Sequence, residues 1–117
     1  MLLPILHVRQ PIHTGRQMSD NKVSVIAQAK ARKGMEGMLR EKLLSLVEPA
    51  HAETGCIIYD LYQARDDTTL FMFYECWKSK DDLEKHLQKS YIKSFMKTAG
   101  ALLAEPFTVS LWEKIST

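Results

Sequence analysis

The feature that most constrains this chain is the order in which its apolar residues change period between Lys22 and Glu113. Lys22 to Ala31 alternates, with Val23, Val25, Ala27 and Ala29 set against Ser24, Gln28 and Lys30, the period of a half-buried strand. After a turn at Lys33-Gly34, Met35, Met38, Leu39, Leu43, Leu46, Val47 and Ala50 recur at offsets of three and four. That spacing predicts an amphipathic helix, tightened near its end by Pro49 and stopped at Gly55. Cys56 to Arg65 and Thr68 to Trp77 read as two strands joined by a hairpin at Asp66-Asp67. Ser79-Lys80-Asp81-Asp82 has the form of a helix start. A second apolar stripe follows, from Leu83, His86 and Leu87 through Tyr91, Ile92, Phe95 and Met96 to Ala99, Leu102 and Leu103, divided near Ser90-Tyr91. Gly100 weakens it and Pro106 ends it before a last strand, Phe107 to Glu113.

The order strand, helix, strand, strand, helix, strand is the split βαβ pattern of a ferredoxin-like α+β sandwich (βαββαβ). Two helices cover one face of a four-stranded sheet. The strand Thr68 to Trp77 is nonetheless apolar on both faces, which would leave Met72 and Tyr74 in water. An uncovered apolar sheet face marks an interface, so the expected working unit is a homodimer packed sheet to sheet.

Residues 1–21 differ from the rest. Pro4, Pro11 and Gly15 interrupt any helix or central strand, and a second methionine, Met18, precedes the first periodic segment. The segment is expected to be an irregular N-terminal extension, with the domain spanning residues 22–117. Its apolar start, Met1 to Leu6, is short and has no preceding basic residue, unlike a secretory signal. His7 and His13 lie in it without periodicity and form no metal pattern.

Composition narrows the function classes. At 117 residues the chain is one domain, with a core that buries about two-thirds of its unfolded surface. Sixteen Lys+Arg against 14 Asp+Glu leave a formal charge of +2, which makes no electrostatic case for nucleic acid or an anionic membrane. The lysines from Lys78 to Lys97 read as a solvated helix face. No run approaches the roughly 18 apolar residues of a membrane span. Two cysteines, Cys56 and Cys76, make neither a disulfide framework nor a zinc site, and read as reduced core thiols of a cytoplasmic protein. Phosphate-loop, dinucleotide and nucleophile-elbow motifs are absent.

The polar residues inside the apolar faces carry the functional signal. His86 falls on or beside the second helix stripe, and Glu75 and Trp77 share one strand face with Phe71 and Phe73. A short turn separates the two groups, so an imidazole, a carboxylate and an indole are expected around one cavity between helices and sheet. Two readings stand: a site that stacks a planar aromatic substrate and moves a proton, or a core histidine tied to a carboxylate with tryptophan packed beside it. His51, at a helix end near Pro49, reads as a surface or cap residue.

From Val23 to Lys114 the chain resembles the antibiotic biosynthesis monooxygenase (ABM) domain family, which includes small quinol monooxygenases. The resemblance is carried by Val23 to Ala27, Glu53-Thr54-Gly55-Cys56, Phe73-Tyr74-Glu75-Cys76-Trp77, Asp82 to Leu87, and Tyr91 to Phe95. It implies a dimeric α+β barrel and the oxidation of a small aromatic or quinol substrate by dioxygen without metal, flavin or haem. It also implies His86 as the proton-transfer residue, with Glu75 orienting and Trp77 as a pocket wall. Phe73, Tyr91, Phe95 and Met96 would bind substrate, with small Ala27 and Ala29 leaving room. Haem-degrading relatives use an asparagine and a histidine where this chain has Ala29 and Met96, so the resemblance argues against that chemistry. An autoinducer-2-processing or haem-degrading relative and a non-catalytic dimeric ligand-binding module of the same fold remain alternatives.

Overall fold

The computed structural model describes residues 6–9, as strand backbone, and residues 21–117. Its strands are β1 (Leu6–Arg9), β2 (Val23–Lys30), β3 (Cys56–Gln63), β4 (Leu70–Trp77) and β5 (Phe107–Trp112). Its helices are α1 (Glu36–Leu44), α2 (Val47–His51), α3 (Lys80–Leu87) and α4 (Ser90–Ala99), with a 3₁₀ turn at Gly100–Leu102. They form one sheet in the order β1-β5-β2-β4-β3. The four strands β5-β2-β4-β3 are antiparallel neighbours, as the ferredoxin-like pattern requires. This sheet is open in the single chain, so a barrel takes a second copy.

The expectation of an irregular segment at residues 1–21 is corrected at residues 6–9. There β1 pairs in parallel with β5, Leu6 opposite Phe107 and Val8 opposite Val109. An outer strand offers unpaired N–H and C=O groups along one side, and β1 satisfies those of β5. The sequence positions of Pro4 and Pro11 leave a run free to pair between them. Met18 lies outside the described residues.

The first helical stripe folds as two pieces. Proline at 49 has no N–H to bond the Ser45 carbonyl, and its ring would press on that carbonyl in a continuous helix. The chain relieves this at Ser45-Leu46, where Leu46 N–H bonds Leu43 O in a tighter turn before Ala50 N–H resumes with Leu46 O. Leu39, Leu43, Leu46 and Ala50 are buried, but Met38 is 58% exposed and Met35 is also exposed. The stripe is therefore narrower than expected, because Met38 sits one residue, about 100°, away from Leu39 around the helix.

Alternation along the strands sorts the sheet into two faces. Val25, Ala27 and Ala29 of β2, Phe71 and Phe73 of β4, and Phe107, Val109 and Leu111 of β5 face the helices and are buried. Each large side chain buried there stabilises the fold by about 1.5–3 kcal/mol. Met72 and Tyr74 point the other way and are half-buried, beside the exposed Tyr62 of β3. Trp112 of β5 ends this second face and is 55% exposed. Gly34 makes the turn into α1 with φ +88°, a conformation that disfavours a side chain.

Candidate functional site

Three local devices bring the functional side chains together. Ser79 caps α3, its hydroxyl accepting from Asp82 N–H at 3.1 Å, so the helix begins three residues after Trp77 ends β4. His86, near the end of α3, then faces back over that strand end. Lys78 N–H donates to Gly55 O at 2.9 Å, which ties the α2–β3 turn to the same corner. Gly55 is needed there: a Cβ on it would lie 2.3 Å from Asp82 Cγ. The turn carries Glu53, and its carboxylate meets α3 and α4.

His86 is 2% exposed, and its Nδ1 lies 2.8 Å from Glu53 Oε2. Tyr91, in the first turn of α4, donates its hydroxyl to the same Oε2. The Tyr91 hydroxyl also stands 3.4 Å from His86 Nδ1. An ionised Glu53 accepts from both, and the imidazole then carries its proton on Nδ1. The His86 ring lies on Trp77, centroids 4.4 Å apart and planes inclined by 36°, and meets Tyr59 edge-on at 5.3 Å.

Burial sets the charges. It pushes the His86 imidazole below its ordinary value, against the opposing pull of the Glu53 hydrogen bond and carboxylate, so His86 favours the neutral form. Burial likewise raises the Glu75 carboxyl to about 7, although the Trp77 hydrogen bond lowers it. Tyr59 and Tyr91 are pushed up by burial, Tyr91 further by its hydrogen bond to Glu53, and both hold their protons. The Cys56 thiol is raised to about 11 by burial, so it is no thiolate nucleophile.

A small cavity lies between helices and sheet, with about 20 Å³ open to the centre of a water molecule. Ala27, Tyr59, Glu75, His86, Phe95 and Met96 line it, closed by Leu46, Leu83, Leu87 and Ile92 from the helical side. Of the residues expected from sequence, Ala27, Glu75, His86, Phe95 and Met96 meet there. The others do not reach its wall. Trp77 backs His86 instead, because it is one strand period beyond Glu75 at the sheet end. Phe73 packs on Tyr59, centroids 4.6 Å apart, and Ala29 lies a further strand period away beside Phe71. Tyr91 lines an outer cleft of about 290 Å³ with Glu53, Lys85 and Lys89.

The expected role of Glu75 as orienting partner of His86 is also corrected. Glu75 Oε1 accepts from Trp77 Nε1 at 2.9 Å, while Glu53 holds the imidazole. Glu75 and Trp77 are neighbours on one strand face, whereas Glu53 reaches His86 across 33 positions. Sequence reasoning did not single out Glu53 or Tyr59 as site residues, although Glu53 opens the Glu53-Thr54-Gly55-Cys56 motif. His51 ends α2 and its Nε2 is 2.9 Å from the Tyr59 carbonyl, a fastening between helix and strand. Cys56 and Cys76 are not joined in a disulfide. Among the described residues no cluster of His, Cys, Asp and Glu has the form of a metal site, and no helix is long and apolar enough to cross a membrane.

Fold and site together define a ferredoxin-like α+β domain with a buried His–Glu–Tyr cluster beside a closed apolar cavity. The family model described as antibiotic biosynthesis monooxygenase matches residues 22–98, and the chain belongs to that family. It is 33% identical over 89 residues to the Mycobacterium tuberculosis protein named "Putative monooxygenase Rv0793", covering 76% of this chain and 87% of that one. The solved structure of Rv0793 superposes with a TM-score of 0.78 at 28% identity, over 83% of this chain and 98% of that one. The crystal structure of PA3566 from Pseudomonas aeruginosa gives a TM-score of 0.79 at 30% identity, over 86% and 100% of the two chains. A Synechocystis protein, "Uncharacterized protein sll1783", is 30% identical over 73 residues; these span 62% of this chain and half the length of that relative.

Proposed function

We propose that the protein is a cofactor-independent monooxygenase that oxidises a small aromatic quinol with dioxygen. One observation carries the reading: a buried, neutral imidazole, with one ring nitrogen turned to a carboxylate, sits at the wall of an apolar cavity. The family description and the name of the Mycobacterium tuberculosis relative support a monooxygenase role. His86 takes a phenolic proton, and the electron-rich phenolate is oxidised directly by dioxygen. One oxygen atom enters the ring and the other leaves as water, the quinol supplying the two electrons, so the reaction needs no external reductant. Phe95 and Met96 present an apolar wall that excludes water. An aromatic ring exceeds the space of this cavity, so its entry requires the cavity to widen.

The outer sheet face, with Met72, Tyr74 and Trp112, faces a second copy in this reading, giving the dimeric barrel. Two cysteines that form no disulfide support a reducing compartment, the cytoplasm.

Oxygen uptake by metal-stripped protein with a panel of quinols tests the activity. The expected result is uptake that falls by about 10²-fold or more in His86→Ala. No uptake with any quinol, or equal uptake by the variant, overturns it. Tight binding of a quinol without uptake would instead establish the non-catalytic ligand-binding reading.

A further inference from the structure

We propose that Glu53 is the positioning residue of this site: its carboxylate, clamped by Tyr91, fixes the His86 proton on Nδ1 and leaves Nε2 as the base. The proposal rests on the monooxygenase reading for its catalytic consequence, but not for its geometry.

The side chains of His86 and Glu53 are 3% and 9% exposed, so the pair is shielded from water. A buried carboxylate needs donors, and Oε2 has two, His86 Nδ1 and the Tyr91 hydroxyl. Tyr91 keeps its proton, so it has a hydrogen to donate and cannot act as a competing base. With Nδ1 committed as a donor, the lone pair of the neutral ring is on Nε2. In the proton step, Nε2 gains the phenolic hydrogen and the O–H bond breaks. The resulting imidazolium is stabilised by the Glu53 carboxylate. The same proton is later returned to the outer oxygen of the ring peroxide; the O–O bond then breaks, that oxygen departs as water with the hydrogen of the oxygenated ring carbon, and a quinone is left, so His86 and Glu53 end as they began. The groups acting on His86 from neighbouring elements are Glu53 of the turn, Tyr91 and Lys89 at the start of α4, Tyr59 of β3 and Glu75 of β4.

Glu53 also faces the outer cleft through Tyr91, whereas His86 faces the inner cavity. The pair therefore spans the wall between solvent and cavity, which a core histidine fastened only for packing would not require.

The test is nitrogen NMR of ¹⁵N-histidine-labelled protein, with the His86 signals assigned by their loss in His86→Asn. The wild-type ring is expected as the Nδ1–H tautomer above its titration. Glu53→Ala should shift it toward Nε2–H, and Glu53→Gln should lower its titration midpoint further. A wild-type Nε2–H tautomer, or a tautomer unmoved by Glu53→Ala in a folded variant, overturns the proposal. If Glu53→Ala does not fold, the wild-type spectrum decides. In quinol-dependent uptake, Glu53→Gln is expected to lower kcat about 10²-fold with KM kept. Unchanged kcat overturns the catalytic consequence. Absence of any wild-type uptake overturns the monooxygenase reading, while the NMR result still decides the role of Glu53.

Discussion

The indole N–H of Trp77 donates to the carboxylate of Glu75 at 2.9 Å, with both side chains on the helix-facing side of β4. Glu75 is 4% exposed, and that one donor does not offset its burial: the carboxyl titrates at about 7 rather than 4.5. A carboxyl raised in the folded state contributes stability that is present below the unfolded value and is lost as pH rises through the folded one. His86, depressed by burial, has the opposite sign: its contribution is present above its unfolded value of 6.5 and is lost as pH falls. Comparison with Glu75→Gln isolates the first effect, since glutamine mimics the protonated acid. Relative to Glu75→Gln, the wild type should lose on the order of 3 kcal/mol between pH 4.5 and pH 8, read by urea unfolding at each pH. A pH-independent difference would refute the assignment.

Trp77→Phe keeps a ring against His86 but removes the donor to Glu75. Leaving that buried acceptor without a partner should cost about 1–3 kcal/mol, and the smaller ring adds a cavity cost. The loss should be greater at pH 8 than at pH 5, because the ionised carboxylate needs the donor more. Chemical denaturation of both proteins at the two pH values measures it.

Gly55→Ala places a methyl 2.4 Å from Asp82 Cβ and 2.3 Å from its Cγ. Relief requires α3 to shift, at a cost of about 1–3 kcal/mol, and the shift carries His86 away from Glu53. Thermal unfolding should show the loss. Adding Asp82→Ala should not restore stability, because the nearby Cβ remains, whereas Asp82→Gly should recover part of it.

Met72→Lys puts a charge in the centre of the outer sheet face, between Gln28 of β2 and Tyr62 of β3. In sedimentation at micromolar concentration the wild type is expected as a dimer and the variant as a monomer with retained helix and strand content. A variant that remains dimeric would place the subunit contact elsewhere.

Much of the fold was legible because it rests on short-range rules. Alternation at Val23–Lys30, the apolar run at Leu70–Trp77, the Ser79 cap and the Pro106 stop depend on neighbours within a few positions, and the structure follows them. The break at Ser45-Leu46 follows from Pro49 by the same local logic. The N-terminal strand was not legible, because Leu6–Arg9 pairs with a strand about a hundred residues away and its own pattern is too short to show a period.

The site divides along the same line. From the sequence alone, His86, Glu75 and Trp77 were polar groups on apolar faces, and that determined that an imidazole and a carboxylate would be buried near one end of the sheet. Only the tertiary structure decided which carboxylate holds the imidazole. Glu75 is nearest in the chain to Trp77 and bonds it, whereas Glu53 arrives from the far side of the hairpin because Gly55 lets its turn approach α3. Hydrogen bonds of a few ångströms are set by where rigid elements pack, and no local pattern encodes a contact between residues 33 positions apart.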